Sequence, residues 1–130
     1  MRPRTNKSRP GFIPLGIDLI EIKKARRFYR AHEDRLGSLF SKKELRTIRR
    51  SKKPYERMAV LLAAKEAVFK ALRAPWMGPA GFREIRLVPV SRRRPQFKGV
   101  RFRLAFENTK NYVIARCYPG VSDTHVLGSD

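Results

Sequence analysis

The stretch Leu61 to Leu72, LLAAKEAVFKAL, most constrains how this chain folds, because it places Lys65, Glu66 and Lys70 inside an otherwise apolar run of strong helix formers. Charges in such a setting need compensation. Val60, Ala64, Val68 and Leu72 recur four apart and predict one buried stripe, while Glu66 and Lys70, also four apart, share a different face. A carboxylate and an ammonium one turn apart are either an ordinary i,i+4 ion pair or part of a polar site, and the second reading requires another carboxylate. Asp18 supplies it. In Leu15-Gly16-Ile17-Asp18-Leu19-Ile20 a single acid interrupts an apolar, β-like run that no Lys or Arg follows until Lys23. A lone carboxylate in such surroundings seeks a partner, a donor or a metal.

The rest of the chain reads as helices followed by strands. Phe12 to Asp18 predicts the first strand, with Pro14 marking an edge or irregular start. From about Glu21 to Phe40 the apolar residues Ala25, Phe28, Tyr29, Leu36, Leu39 and Phe40 keep to one side of a predicted helix, which Gly37 weakens or ends. Lys23, Arg26, Arg27 and Arg30 recur three or four apart on its other side, a cationic ridge that is either a solvated face or a docking surface. Ser41-Lys42-Lys43-Glu44 has the Ser-x-x-Glu form of a capping box and predicts a short helix to Arg49. Ser51-Lys52-Lys53 is its exit loop, and Pro54 suits the first turn of a long helix ending at Leu72. Arg73 to Gly81, with two prolines and two glycines, is predicted as a loop carrying Trp76 and Met77. Ile85, Leu87 and Val90, then Val100 to Phe106, then Tyr112 to Cys117 predict three strands, with a hairpin turn over Asn108 to Asn111.

At 130 residues and 42% hydrophobic content, one domain is expected, occupying residues 11–120 between a basic arm (1–10) and a polar tail (121–130). No run of eighteen apolar residues and no secretory leader pattern is present, so no membrane span and a cytoplasmic location are expected. Cys117 reads as a core residue of a late strand. Thirty-one Lys and Arg against eleven Asp and Glu give a formal charge of +20, which calls for an acidic partner, either a nucleic acid or an acidic protein.

Two motifs narrow the choice. Gly16-Ile17-Asp18, followed after a gap by Lys65-Glu66-Ala67-Val68-Phe69-Lys70, resembles the bipartite signature of the 4'-phosphopantetheinyl transferases, and within them the holo-[acyl-carrier-protein] synthase type. Phe40 to Glu44 and Gly81 to Ile85 extend the resemblance, which spans roughly Gly16 to Tyr118. It implies a single α+β domain of the phosphopantetheinyl transferase fold, about three helices packed on an antiparallel sheet. It also implies Mg²⁺-dependent transfer of 4'-phosphopantetheine from coenzyme A to a serine of an acidic acyl carrier protein. By motif match, Asp18 and Glu66 would bind Mg²⁺, Glu66 and Lys70 would act in catalysis, and Lys65 and Lys70 would contact coenzyme A. Lys23, Arg26, Arg27 and Arg30 would dock the carrier protein, and the assembly would be a homotrimer. The chain departs from the family pattern where Arg73-Ala74-Pro75 replaces Gly-Thr-Gly and Ala105 to Asn108 replaces Ser-x-Ser-His, a tract on the nucleotide side of the cleft. Arg92, Arg93, Arg94 or Lys98 are the expected substitutes as phosphate ligands. The alternatives are a non-catalytic relative that binds a carrier protein or other acidic partner, and a basic nucleic-acid-binding domain.

Overall fold

The computed structural model describes residues 16–72, 78–87, 96–97 and 100–118. The expectations for the basic arm, the polar tail, Trp76, Met77, Arg92 to Arg94 and Lys98 lie outside them. In chain order the elements are β1 (Gly16–Glu21), α1 (Ile22–Ala31), a 3-10 helix (Glu33–Ser38), α2 (Lys42–Arg50), α3 (Pro54–Leu72), α4 (Gly78–Arg83), β2 (Gln96–Phe97), β3 (Val100–Arg101), β4 (Arg103–Asn108) and β5 (Tyr112–Tyr118). Helices thus pack on an antiparallel sheet of order β1-β5-β4, with β2 and β3 forming a separate ribbon. No helix among the described residues is long and apolar enough to cross a membrane.

The caps follow the residues. Ser41 accepts from the Glu44 amide at 3.2 Å while Glu44 accepts from the Ser41 amide at 2.8 Å, completing the capping box in front of α2. Pro54 opens α3, where a missing N–H costs nothing. The β4–β5 turn is closed by Thr109, whose hydroxyl accepts from the amides of Asn111 and Tyr112 at 3.2 and 2.9 Å.

α3 is the centre of the molecule. Rather than one stripe, Met58 to Leu61, Ala63 to Lys65, Ala67, Val68 and Ala71 are all buried, because the sheet covers one side and α1 and α2 cover others. Val113, Ala115, Cys117 and Leu104 meet it from the sheet. In β5 these are the odd-numbered residues, so Cys117 shares the core face with Val113 and Ala115, not with Tyr112 and Ile114. Burial pushes the Cys117 thiol up to about 12, which leaves it an inert core group. The opposite face of the sheet is open, with Ile17 51%, Leu19 53% and Tyr112 39% exposed.

Three expected elements differ. The first helix breaks at His32, where φ −132° and ψ 32° leave the helical region, and the chain continues as the 3-10 turn. Residues 78–83 form α4 rather than loop, with Pro79 placed in its first turn. Ile85 and Leu87 are buried outside any sheet, because side chains from α2 and α3 occupy the backbone groups of this segment.

Gly16 sets the seam between β1 and α3. A Cβ there would collide with the Ala67 carbonyl oxygen and lie 2.9 Å from the Ala71 amide nitrogen, backbone atoms that cannot move aside. Gly16→Ala should therefore destabilise the domain by about 1–3 kcal/mol in urea unfolding, the usual cost of overpacking. An unchanged midpoint would show that the seam has slack.

Candidate active site

The seam carries the two acids of the signature to one place. β1 projects Asp18 toward α3, and Lys70 of α3 donates to Asp18 Oδ1 at 3.0 Å and to the Ile17 carbonyl at 3.1 Å. The ion pair spans two elements instead of one helix turn, so Lys70 takes Asp18, not Glu66, as its hydrogen-bonded partner. Asp18 Oδ2 is buried with no hydrogen-bond partner. An orphaned carboxylate oxygen inside a protein is costly, and burial raises the Asp18 pKa even though Lys70 pulls it down. Glu66 is raised too, first by burial and then by the Asp18 charge, with Lys70 opposing. Both carboxylates are thus disfavoured as anions, Glu66 in part by the Asp18 charge, and a cation beside the unused Asp18 oxygen would offset that cost.

The donor set decides which kind. Among the described residues no group of three or more His, Cys, Asp or Glu converges, which disfavours a transition-metal cage. Two carboxylates suit Mg²⁺, which commonly takes one or two from the protein and completes its shell with water and substrate phosphates. The residues present therefore fit the metal that the motif implies. Lys70, whose side chain is 50% exposed, brings a cation from the solvent side to the Asp18 carboxylate.

Lys65 is placed elsewhere. It was expected beside the nucleotide, yet its side chain and that of Glu44 are both 0% exposed, 2.9 Å apart, inside the core. The ammonium also donates to the carbonyls of Ile85 at 2.7 Å, Phe82 at 3.2 Å and Arg83 at 3.3 Å, and lies 5.6 Å from the ring centroids of Phe40 and Phe82. Burial lowers its pKa while Glu44 pulls the other way. Every N–H is committed, so Lys65 holds structure and leaves no donor for a ligand.

Lys23, Arg26, Arg27 and Arg30 of α1 are all exposed, and none has an ion-pair partner among the described residues. A second basic feature was missed. A hollow of about 300 Å³ is lined by Lys52, Lys53, Glu56, Arg57 and Asn108, where the exit loop of α2 meets the end of β4. The two adjacent lysines before Pro54 were its visible signal, but nothing local tied them to Asn108, which donates to Glu56 at 3.3 Å.

Comparison with known proteins bears on the family and the fold. The model of the 4'-phosphopantetheinyl transferase superfamily matches residues 14–117. A holo-[acyl-carrier-protein] synthase of Chlamydia muridarum is 46% identical over 59 residues, 45% of this chain and 47% of that protein. One from Carboxydothermus hydrogenoformans is 34% identical over 74 residues, 56% and 59% respectively. The matched chain thus spans about half the length of these curated relatives. The crystal structure of the holo-[acyl-carrier-protein] synthase from Neisseria meningitidis superposes with a TM-score of 0.67 at 22% identity, over 84% of this chain and 100% of that one, a likeness of fold.

Proposed function

The chain belongs to the 4'-phosphopantetheinyl transferase superfamily, and from that membership we propose that it transfers 4'-phosphopantetheine from coenzyme A to a serine of an acidic acyl carrier protein in the cytoplasm. The observation that carries the proposal is the buried, unpartnered carboxylate oxygen of Asp18 at the β1–α3 seam, with Lys70 hydrogen-bonded to the same carboxylate and the Asp18 charge acting on Glu66.

Asp18 and Glu66 would hold Mg²⁺, which when bound neutralises charge on the pyrophosphate. The serine oxygen forms a bond to the β-phosphorus of coenzyme A while the bond to the leaving 3',5'-ADP breaks. As the carboxylate anion, made more basic by burial and by the Asp18 charge, Glu66 would accept the hydroxyl proton. Lys70 exchanges its contact with Asp18 for the phosphate oxygens and steadies the charge that builds there. The cationic hollow beside Asn108 suits the nucleotide end of coenzyme A, since Lys52, Lys53 and Arg57 supply the phosphate donors that the altered Ala105 to Asn108 tract lacks. Lys23, Arg26, Arg27 and Arg30 on α1 offer an acidic carrier a complementary face. Ile17, Leu19 and Tyr112, exposed on the outer face of the sheet beside the Arg116–Glu107 ion pair, suit self-association, and a homotrimer is the assembly we assign to it.

The test is incubation with Mg²⁺, coenzyme A and apo carrier proteins from the same source, following carrier mass and 3',5'-ADP release. We expect a mass gain of one phosphopantetheine with saturating dependence on coenzyme A. No gain on any carrier that an unrelated transferase can modify would defeat the enzyme reading and leave a carrier-binding module.

A further inference from the structure

The cations of α1 are not equivalent. Tyr55, half-buried in the first turn of α3, lies with its ring centroid 5.9 Å from the guanidinium carbon of Arg26 and 5.8 Å from that of Arg30. Both distances are within cation–π range. Tyr29 packs edge-on against the same ring, with centroids 5.4 Å apart and planes at 80°, so the ring itself is braced from α1. One aromatic ring therefore gathers two exposed guanidiniums one helical turn apart, while no residue in the described part of the chain offers them a carboxylate.

We propose that Tyr55 is a positioning residue for the docking partner, holding Arg26 and Arg30 as a preformed pair for an acidic helix that presents carboxylates one turn apart. This rests on the reading that α1 docks an acidic carrier. The physical argument is preorganisation. Free arginine side chains must lose rotamer freedom when they engage, and five like charges on one short helix push each other apart. Stacking on a ring uses the flat face of a guanidinium and leaves its N–H edge directed outward for bidentate carboxylate bonding. Regular one-turn spacing on a straight helix matches another helix, on which i,i+4 carboxylates are spaced alike.

The experiment measures binding of fluorescently labelled apo acyl carrier protein to the full chain across a salt series. Tyr55→Leu, which keeps apolar volume and removes the ring, should weaken affinity by roughly five- to thirtyfold, within the cost of ordering two free arginine side chains on docking. The slope of log Kd against log salt should stay at its parent value, because no charge is removed, whereas Arg26→Glu/Arg30→Glu should flatten it. Tyr55→Phe should restore affinity. Unchanged affinity in Tyr55→Leu, or a Tyr55→Phe variant as weak as Tyr55→Leu, would overturn the role of the ring. An Arg26→Glu/Arg30→Glu variant that binds as tightly as the parent, or a parent that does not bind carrier, would overturn the docking face on which the proposal rests. Binding of a DNA duplex with the same response to Tyr55→Leu, in place of the carrier, would also overturn it.

Discussion

Asp18→Asn and Glu66→Gln will each reduce phosphopantetheine transfer by roughly a thousandfold or more, the size of a metal's charge stabilisation, while leaving the domain at least as stable as the parent at neutral pH. The two halves of this result have one cause. Both carboxylates are disfavoured as anions in the folded chain, by burial and, for Glu66, by the Asp18 charge, so each is raised above its ordinary value. For a raised acid the folded state binds protons that the unfolded chain has already released. Below the ordinary values of 3.8 and 4.5 both states are protonated and the groups contribute nothing. As pH rises from there through the raised values, stability falls, and the penalty is complete above them. The amides remove that penalty along with the metal. The stabilisation of each variant over the parent in urea unfolding should therefore shrink as pH is lowered toward 4, and added Mg²⁺ should stabilise the parent at neutral pH but not the variants. Calorimetry that finds Mg²⁺ and coenzyme A binding unaltered in both variants would refute the site.

How much of this was legible depends on the range of the signal. The capping box at Ser41 and Glu44, the proline start at Pro54 and the length of α3 are written in residues a few positions apart, and the structure reproduces them. Gly16 and Asp18 were legible as a motif, though the reason for the glycine, the approach of the α3 backbone, needed the packed seam. Tertiary effects decided the rest. Ile85 and Leu87 have the alternation of a strand, but the Leu87 amide is taken by Glu44 at 2.8 Å and the Ile85 carbonyl by Lys65, so no sheet partner is required. The Lys65-Glu66 dipeptide shows the limit most clearly. Adjacent helical residues point about 100° apart, and nothing local states which charge turns inward. The structure buries the lysine with Glu44 and turns the glutamate to the seam.

That interior pair carries the largest expected stability effect. Lys65→Met and Glu44→Gln should each destabilise the domain by about 3–5 kcal/mol, the cost of breaking a buried ion pair by removing one partner. Lys65→Met leaves a fully buried carboxylate without its counter-ion and three carbonyls without their donor. Glu44→Gln keeps an acceptor for the Ser41 amide, but it strands an ammonium between the Phe40 and Phe82 rings and places an amide where the Leu87 amide must donate. A typical domain has about 5–15 kcal/mol in total, so either change alone brings it close to unfolding. The double variant Lys65→Met/Glu44→Gln should lose less than the sum of the two, because neither partner remains as an isolated charge. The cycle is read from urea midpoints. Single variants within about 1 kcal/mol of the parent would mean that water reaches the pair and screens it. Additive losses would mean that the two residues act separately. A coupled loss would identify the Glu44–Lys65 contact as the tie that joins α2, α3 and the Phe82 to Leu87 segment, and through α3 fixes the rotation that presents Glu66 to Asp18.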